Sequence, residues 1–275
     1  MSALEVRPIS GALGAEVSGV DFGRGVDEAT VGEIRRALLD HGVIFFRDQR
    51  FDAEQQKALA RRFGEIFVHP NYRGMQDDDE IVMVRREPGD KHIVGEDWHT
   101  DTTMMPEPPM GAILYALETP PYGGDTLFAN QYLAYEALSE AMRRMLEGLT
   151  ALNSSSKADA SRTREDRIKE RGTRSEELVA EHPVVRTHPE TGRKALYVNV
   201  AHTARFKGMT DEESAPVLKF LFEHQVRPEF TCRFQWRVGS LAFWDNRCAQ
   251  HNPVNDYHGH RRVMHRITLA GDRPR

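Results

Sequence analysis

FTCRFQWRVGSLAFWDNRCAQHNPVNDYHGHRRVMHRITLAG, residues 230–271, decides the fold. It holds three runs rich in aromatic and β-branched residues, FTCRFQWRV, GSLAFWD and RRVMHRITLAG. Gly, Pro and Asn punctuate them, as expected of short strands joined by turns. Upstream, HPVVRTHP (182–189) and KALYVNV (194–200) read the same way, as do Glu80–Arg85, Gly111–Leu117 and Asp125–Ala129. GVIFFRD (42–48) reads as a buried strand. Helices are expected over Glu28–His41 with Gly42 as stop, from an Asp52/Gln55 capping box to Gly64, over Tyr132–Leu149, and from a Thr210/Glu213 capping box to His224. Many short strands with a few interrupting helices predict a mainly β chain, a sandwich or jelly roll with flanking helices, and not βαβ repeats. The chain contains no strand-borne G-x-G-x-x-G and no G-x-x-x-x-G-K-[ST]. A dinucleotide fold or phosphate loop therefore has no support. One domain over residues 1–275 accounts for the pattern. The polar run at 153–178 is expected to be a surface loop or a lid.

The 275 residues are 39% hydrophobic and 29% charged, with a formal net charge of −5. A mildly acidic chain is not drawn to nucleic acid or to an anionic membrane surface. Its two cysteines, Cys232 and Cys248, exclude a disulfide scaffold and a four-cysteine zinc site. No apolar run reaches the ~18 residues of a membrane span. The opening MSALEVRPISG lacks the basic and apolar regions of a secretory signal, so a cytoplasmic location is expected.

The sharpest chemical signal is Trp98-His99-Thr100-Asp101. In extended backbone, residues i and i+2 project to one side, so an imidazole and a carboxylate converge. The third ligand must come from His182, His188, His202, His224, His251, His258, His260 or His265. His251 stands out, because it follows a Trp-bearing strand and is trailed by Arg262 and Arg266. Two histidines and one carboxylate on one face of a metal leave positions open, which suits Fe(II) and oxygen chemistry. An α-keto acid can chelate such a metal, and its far carboxylate is matched by a guanidinium better than by an ammonium.

At this point the chain resembles the iron(II)/2-oxoglutarate-dependent dioxygenases, specifically the taurine dioxygenase group. WHTD (98–101), GGDT (123–126), HPVVRTHP (182–189), LYVN (196–199), WDNR (244–247) and QHNPVNDYHGHRRVMHRITLAGDRP (250–274) carry the resemblance, which spans nearly the whole chain. It implies a double-stranded β-helix, a jelly-roll variant. Residue by residue it implies His99, Asp101 and His251 as iron ligands, and Arg262 with Thr126 on the distal carboxylate of 2-oxoglutarate. It implies Arg266 on the anionic head of the substrate, with His69 and Tyr72 lining the pocket. The implied cofactors are Fe(II), 2-oxoglutarate and O2. The implied reaction hydroxylates a C–H beside a heteroatom of a small anionic substrate, a taurine-like alkylsulfonate first, and yields succinate, CO2, an aldehyde and sulfite. The group forms dimers and tetramers, so a homo-oligomer is expected.

Two positions depart from the taurine pattern. Gly95 stands where the taurine enzymes place an Asn near the substrate amine, and His202 stands where they place a Phe. MVRREPGDKHIVGEDWHTD (83–101) and GMTDEESAPVLKFLFEH (208–224) resemble the aryloxyalkanoate dioxygenases of the same family. An alkyl sulfate ester or an aryloxy acid is therefore an alternative substrate. Trp98 and Trp244 read as core packing. His258, His260 and His265 read as hydrogen-bonded or solvated histidines and not as a second metal site.

Overall fold

The computed structural model describes residues 4–68, 78–93, 95–157 and 177–275. Seven strands form the major sheet, in the order β1 (Glu5–Pro8), β2 (Ala15–Ser18), β3 (Val43–Phe46), β13 (Leu241–Asp245), β5 (Gly111–Glu118), β15 (Arg262–Leu269) and β4 (Val82–Arg86). Facing it is a three-stranded sheet of β12 (Thr231–Phe234), β6 (Thr126–Asn130) and β14 (Ala249–Pro253). Every pairing in these sheets is antiparallel except that of β2 with β3. This is the jelly-roll arrangement that the sequence predicts, with two sheets packed face to face and not closed.

Alternation along β3, β5 and β13 sends side chains to two cores. Val43, Phe45, Ala112, Leu114, Ala242 and Trp244 face the smaller sheet and meet Phe128, Phe234 and Ala249. Ile44, Phe46, Ile113, Tyr115, Leu241 and Phe243 face away and are covered by α1 (Glu28–His41) and α2 (Ala53–Arg61). Both faces are buried, which is why the GVIFF run has no polar alternation. Phe45 stacks on Phe234 across the gap, with ring centroids 3.9 Å apart. Phe45→Ala is expected to cost about 3–5 kcal/mol by opening a cavity between the sheets, measured by chemical denaturation.

A third layer lies at one end. β11 (Thr203–Phe206), β7 (Thr150–Ser154) and β8 (Val179–Pro183) form one small sheet, and β9 (Val185–Thr187) with β10 (Lys194–Leu196) another. They pack with α3 (Gln131–Glu136), α4 (Glu140–Glu147) and α5 (Asp211–His224) around Leu146, Val184, Phe206 and Leu221.

Helix α1 ends at Gly42, at φ 70°, as its sequence predicts. The capping boxes at Asp52 and Thr210 are both formed. The structure differs elsewhere. α2 stops at Arg61, before Gly64, because Arg62 and Phe63 bond three residues back in a tightened last turn. The helix expected over Tyr132–Leu149 is two helices, since Ser139 leaves helical geometry at ψ 154° and its hydroxyl caps Met142 N–H. Asn153 and Ser154, expected in the polar loop, are buried strand residues of β7. Residues 158–176 of that run lie outside the described residues. Among the described residues, no helix is long and apolar enough to cross a membrane.

Candidate metal and cosubstrate site

The site forms where the 98–103 segment crosses β14. His99 N–H donates to His251 O at 3.0 Å, and His251 N–H donates to His99 O at 2.9 Å. This reciprocal pair sets the two histidines side by side. Asp97 and Thr102 bracket the H-x-D segment at φ 87° and 46°. Such conformations are disfavoured for non-glycine residues and cluster where surrounding structure enforces a functional geometry.

The H-x-D spacing then brings Asp101 to the same point. Its Oδ1 lies 3.6 Å from His99 Nε2 and 3.7 Å from His251 Nε2. The three donor atoms all fall within 4.8 Å of one another, and all three residues are buried. The donor set fits Fe(II), with two imidazoles and one carboxylate oxygen sharing a face. His99 Nδ1 lies 2.9 Å from Asp97 O, so that nitrogen carries the proton and Nε2 keeps its lone pair for a metal. Asp101 Oδ2 is taken on the other side, by Arg266 Nη2 at 2.5 Å and Asn246 Nδ2 at 2.9 Å. Oδ1 alone therefore remains to coordinate.

The protonation states suit that role. Burial pushes the Asp101 carboxyl up, but Arg266, His251 and His99 outweigh it and hold it well below the usual carboxylate range. Burial, helped by the neighbouring His99, holds the His251 imidazolium well below the ordinary histidine value. An ionised carboxylate and a neutral imidazole are the forms that bind metals.

Asn246 is a neighbour of Asp101 that the reading of the WDNR motif did not single out. Its Oδ1 accepts from Trp244 Nε1 at 2.9 Å, which fixes the amide so that Nδ2 faces Asp101. The signal was present in the motif, but its meaning depends on the approach of β13 to the 98–103 segment. Trp244 is buried as expected, with its ring 4.7 Å from that of His251, whereas Trp98 is only half-buried. His202 is buried with its ring centroid 6.4 Å from that of His99. His69 and Tyr72 lie outside the described residues.

Thr126 and Arg262, the residues expected to hold the cosubstrate, meet at one indole. Trp236 Nε1 donates to Thr126 Oγ1 at 3.0 Å, and the Arg262 guanidinium lies 5.6 Å from the Trp236 ring centroid. Arg262 is 5% exposed, and its Nε and Nη2 have no partner. Burial lowers its affinity for the proton, against the opposing pull of Tyr257 and Asp125. A buried guanidinium with unmatched N–H groups beside a hydroxyl fits a carboxylate ligand.

Gly95 acquires a structural meaning. At φ 77°, a Cβ there would meet His99 Cε1 at 2.9 Å and Nε2 at 3.2 Å. Gly95→Ala is expected to weaken divalent-metal binding about 10-fold through displacement of the His99 ring, read by calorimetry with Mn(II).

His188, Asp245 and Cys248 form a second cluster of possible ligands. Arg247 occupies both Asp245 oxygens, at 2.8 and 2.7 Å, and His188 Nε2 lies 3.0 Å from Oδ2. Arg247 also pairs with Glu190 at 2.7 Å, and burial pushes the Cys248 thiol up. This closed ion-pair network anchors the end of β13 and leaves no carboxylate lone pair facing a metal. His258, His260 and His265 bond to three different side chains, Arg86, Tyr122 and Gln56, as their reading as ordinary histidines predicts.

Comparisons with known proteins agree with this geometry. Residues 5–268 match the Taurine catabolism dioxygenase TauD, TfdA family. The chain is 38% identical to an alkylsulfatase of Acinetobacter baylyi, over 98% of this chain and 86% of the relative. It is 36% identical to an alpha-ketoglutarate-dependent sulfate ester dioxygenase of Pseudomonas putida, over 98% of this chain and 91% of that one. A crystal structure described as a putative alpha-ketoglutarate-dependent taurine dioxygenase from Burkholderia xenovorans superposes with a TM-score of 0.85 at 37% identity, covering 99% of this chain and 94% of that chain.

Proposed function

This chain belongs to the TauD/TfdA family of iron(II)- and 2-oxoglutarate-dependent dioxygenases, and we propose that its substrate is a small alkyl sulfate ester. The enzyme uses Fe(II), 2-oxoglutarate and O2, and acts on a small molecule. His99, Asp101 and His251 would hold the iron, and Thr126 and Arg262 the distal carboxylate of 2-oxoglutarate. The bound metal and cosubstrate supply the oxidising power for C–H hydroxylation.

The observation that carries the substrate reading is Arg266. Its guanidinium lies 5.5 Å from the Trp244 ring centroid and reaches Asp101 Oδ2, beside the metal face. A cation there favours an anionic head and disfavours a neutral substrate. Gly95 offers no side chain to a taurine amine. The two relatives above are named an alkylsulfatase and a sulfate ester dioxygenase, which moves the preference from the taurine-like sulfonate expected from sequence to the sulfate ester. In this reading His202, His69 and Tyr72 contribute to substrate binding.

Hydroxylation of R–CH2–O–SO3⁻ at the carbon bearing oxygen gives R–CH(OH)–O–SO3⁻. The C–O bond to sulfate then breaks, and its electron pair leaves with the sulfate. The hydroxyl gives up its proton, leaving an aldehyde. 2-Oxoglutarate is oxidised to succinate and CO2 in the same turnover. A sulfonate would release sulfite by the same route. The reading extends to a cytoplasmic dimer or tetramer, which light scattering coupled to size exclusion checks.

The test is a panel assay with Fe(II), ascorbate, O2 and 2-oxoglutarate. An alkyl sulfate, longer alkylsulfonates, taurine and a phenoxyalkanoate are supplied one at a time. Succinate is quantified beside sulfate, sulfite and phenol. Succinate rising in step with sulfate from the alkyl sulfate is expected. Coupling only to sulfite or to phenol would replace the sulfate-ester reading.

A further inference from the structure

Arg86 plays no part in the site described so far, yet it is only 3% exposed. In the β4–β15 ladder it stands directly opposite Arg262. Residues paired this way project from the same face of the sheet with Cβ atoms about 5 Å apart, and like charges so placed repel. The Arg86 guanidinium stacks on the Tyr257 ring at 4.3 Å. Its Nη2 lies 3.0 Å from Asp90 O and 3.0 Å from His258 Nδ1, neither of them a carboxylate. Its Nε and Nη1 have no partner, as is true of Nε and Nη2 of Arg262.

Four unmatched guanidinium nitrogens are thus buried on two opposed cations. Both arginines line one small, partly open recess, together with Ile93, Pro253 and Tyr257. Pro253 is the register partner of Thr126 in the β14–β6 ladder, so the recess adjoins the hydroxyl of the cosubstrate set. Two buried cations with no carboxylate in contact are costly, and a bound anion removes that cost.

We propose that Arg86 is a second guanidinium of the 2-oxoglutarate site, and that Arg86 and Arg262 together take the distal carboxylate of the cosubstrate. The pair makes the site selective for 2-oxo diacids over 2-oxo monoacids. Arg262 alone satisfies a carboxylate by one fork, and the second fork from Arg86 discriminates against a ligand that lacks the carboxylate. The inference rests on the 2-oxoglutarate dependence stated above.

The test is calorimetry on the Mn(II)-loaded protein with two unreactive probes. N-oxalylglycine carries the distal carboxylate, whereas pyruvate has a chelating 2-oxo acid end without it. Arg86→Gln is expected to weaken N-oxalylglycine binding by at least about 10-fold and leave pyruvate binding within about twofold. Arg86→Lys keeps the charge but loses the fork, and should fall between the wild type and Arg86→Gln. If Arg86→Gln does not fold, Arg86→Lys carries the test by the same comparison of probes. Unchanged N-oxalylglycine affinity would overturn the proposal, as would an equal loss for both probes. Failure of the wild-type Mn(II) protein to bind N-oxalylglycine at all would overturn the 2-oxoglutarate dependence itself.

Discussion

Asp101→Ala is expected to abolish retention of Fe(II) or Mn(II) and to lower succinate formation by more than about 1000-fold, since changes to outer-shell partners alone cost 10- to 100-fold. The reason is geometric. Asp101 is the one anionic ligand of the triad, and its two oxygens have divided duties. Oδ1 faces His99 and His251 Nε2 at 3.6 and 3.7 Å, while Oδ2 is tied to Arg266 and Asn246. Removing the carboxylate deletes a ligand and also strands the Arg266 guanidinium, so substrate placement suffers with the metal. Asp101→Asn separates the two losses. It keeps an oxygen donor but removes the charge, and its amide would confront the Asn246 amide wherever it pointed its own NH2 toward Oδ2's place. Metal affinity read by calorimetry should therefore be lost in Asp101→Ala and reduced in Asp101→Asn. Full metal binding by Asp101→Ala would refute the triad.

The triad was legible in the sequence because its chemistry is nearly local. His99 and Asp101 are two residues apart, and extended backbone turns both to one side. Arg262 and Arg266 were singled out together, and one strand carries both. His251 stood out by its place after a Trp-bearing strand and ahead of Arg262 and Arg266, although the pairing that sets it beside His99 joins distant segments. Strand β14 itself was missed. Ala249–Pro253 reads AQHNP, a polar run without alternation, and it is a strand because its backbone pairs with β6. β7 was obscured in the same way. Asn153 is fully buried yet polar, and it is tolerated because its Oδ1 accepts from Thr203 Oγ1 at 2.8 Å and its side chain also meets Thr103. Arg86 was invisible for a further reason. A second arginine in a strand looks like a solvated charge until the register shows which residue stands opposite. Sequence therefore reveals ligands that cluster along the chain, and conceals groups whose meaning comes from cross-strand pairing.

Arg266→Ala is expected to raise KM for the sulfur-bearing substrate by about 100-fold or more, the scale of an anion left without its buried cation, while KM for 2-oxoglutarate rises far less. Arg266 and Arg262 lie on one strand, four residues apart, and so on the same face. They nevertheless stand among different neighbours. Arg262 stands by Thr126 and Trp236, and Arg266 by Asp101 and Trp244. The Arg266–Asp101 contact adds a second consequence. Without substrate, the guanidinium neutralises the liganding carboxylate; with an anionic head bound, that charge is shared between two anions. Arg266→Ala should thus also weaken Mn(II) binding, by a smaller factor of about 10, because Asn246 still holds Oδ2. Arg266→Lys keeps the charge but not the fork, and should recover part of the metal affinity and less of the substrate affinity. Steady-state kinetics with each substrate varied in turn, beside metal calorimetry, reads all three quantities. Equal damage to both KM values would show that Arg266 does not separate substrate from cosubstrate, and the division of roles between the two arginines would fall with it.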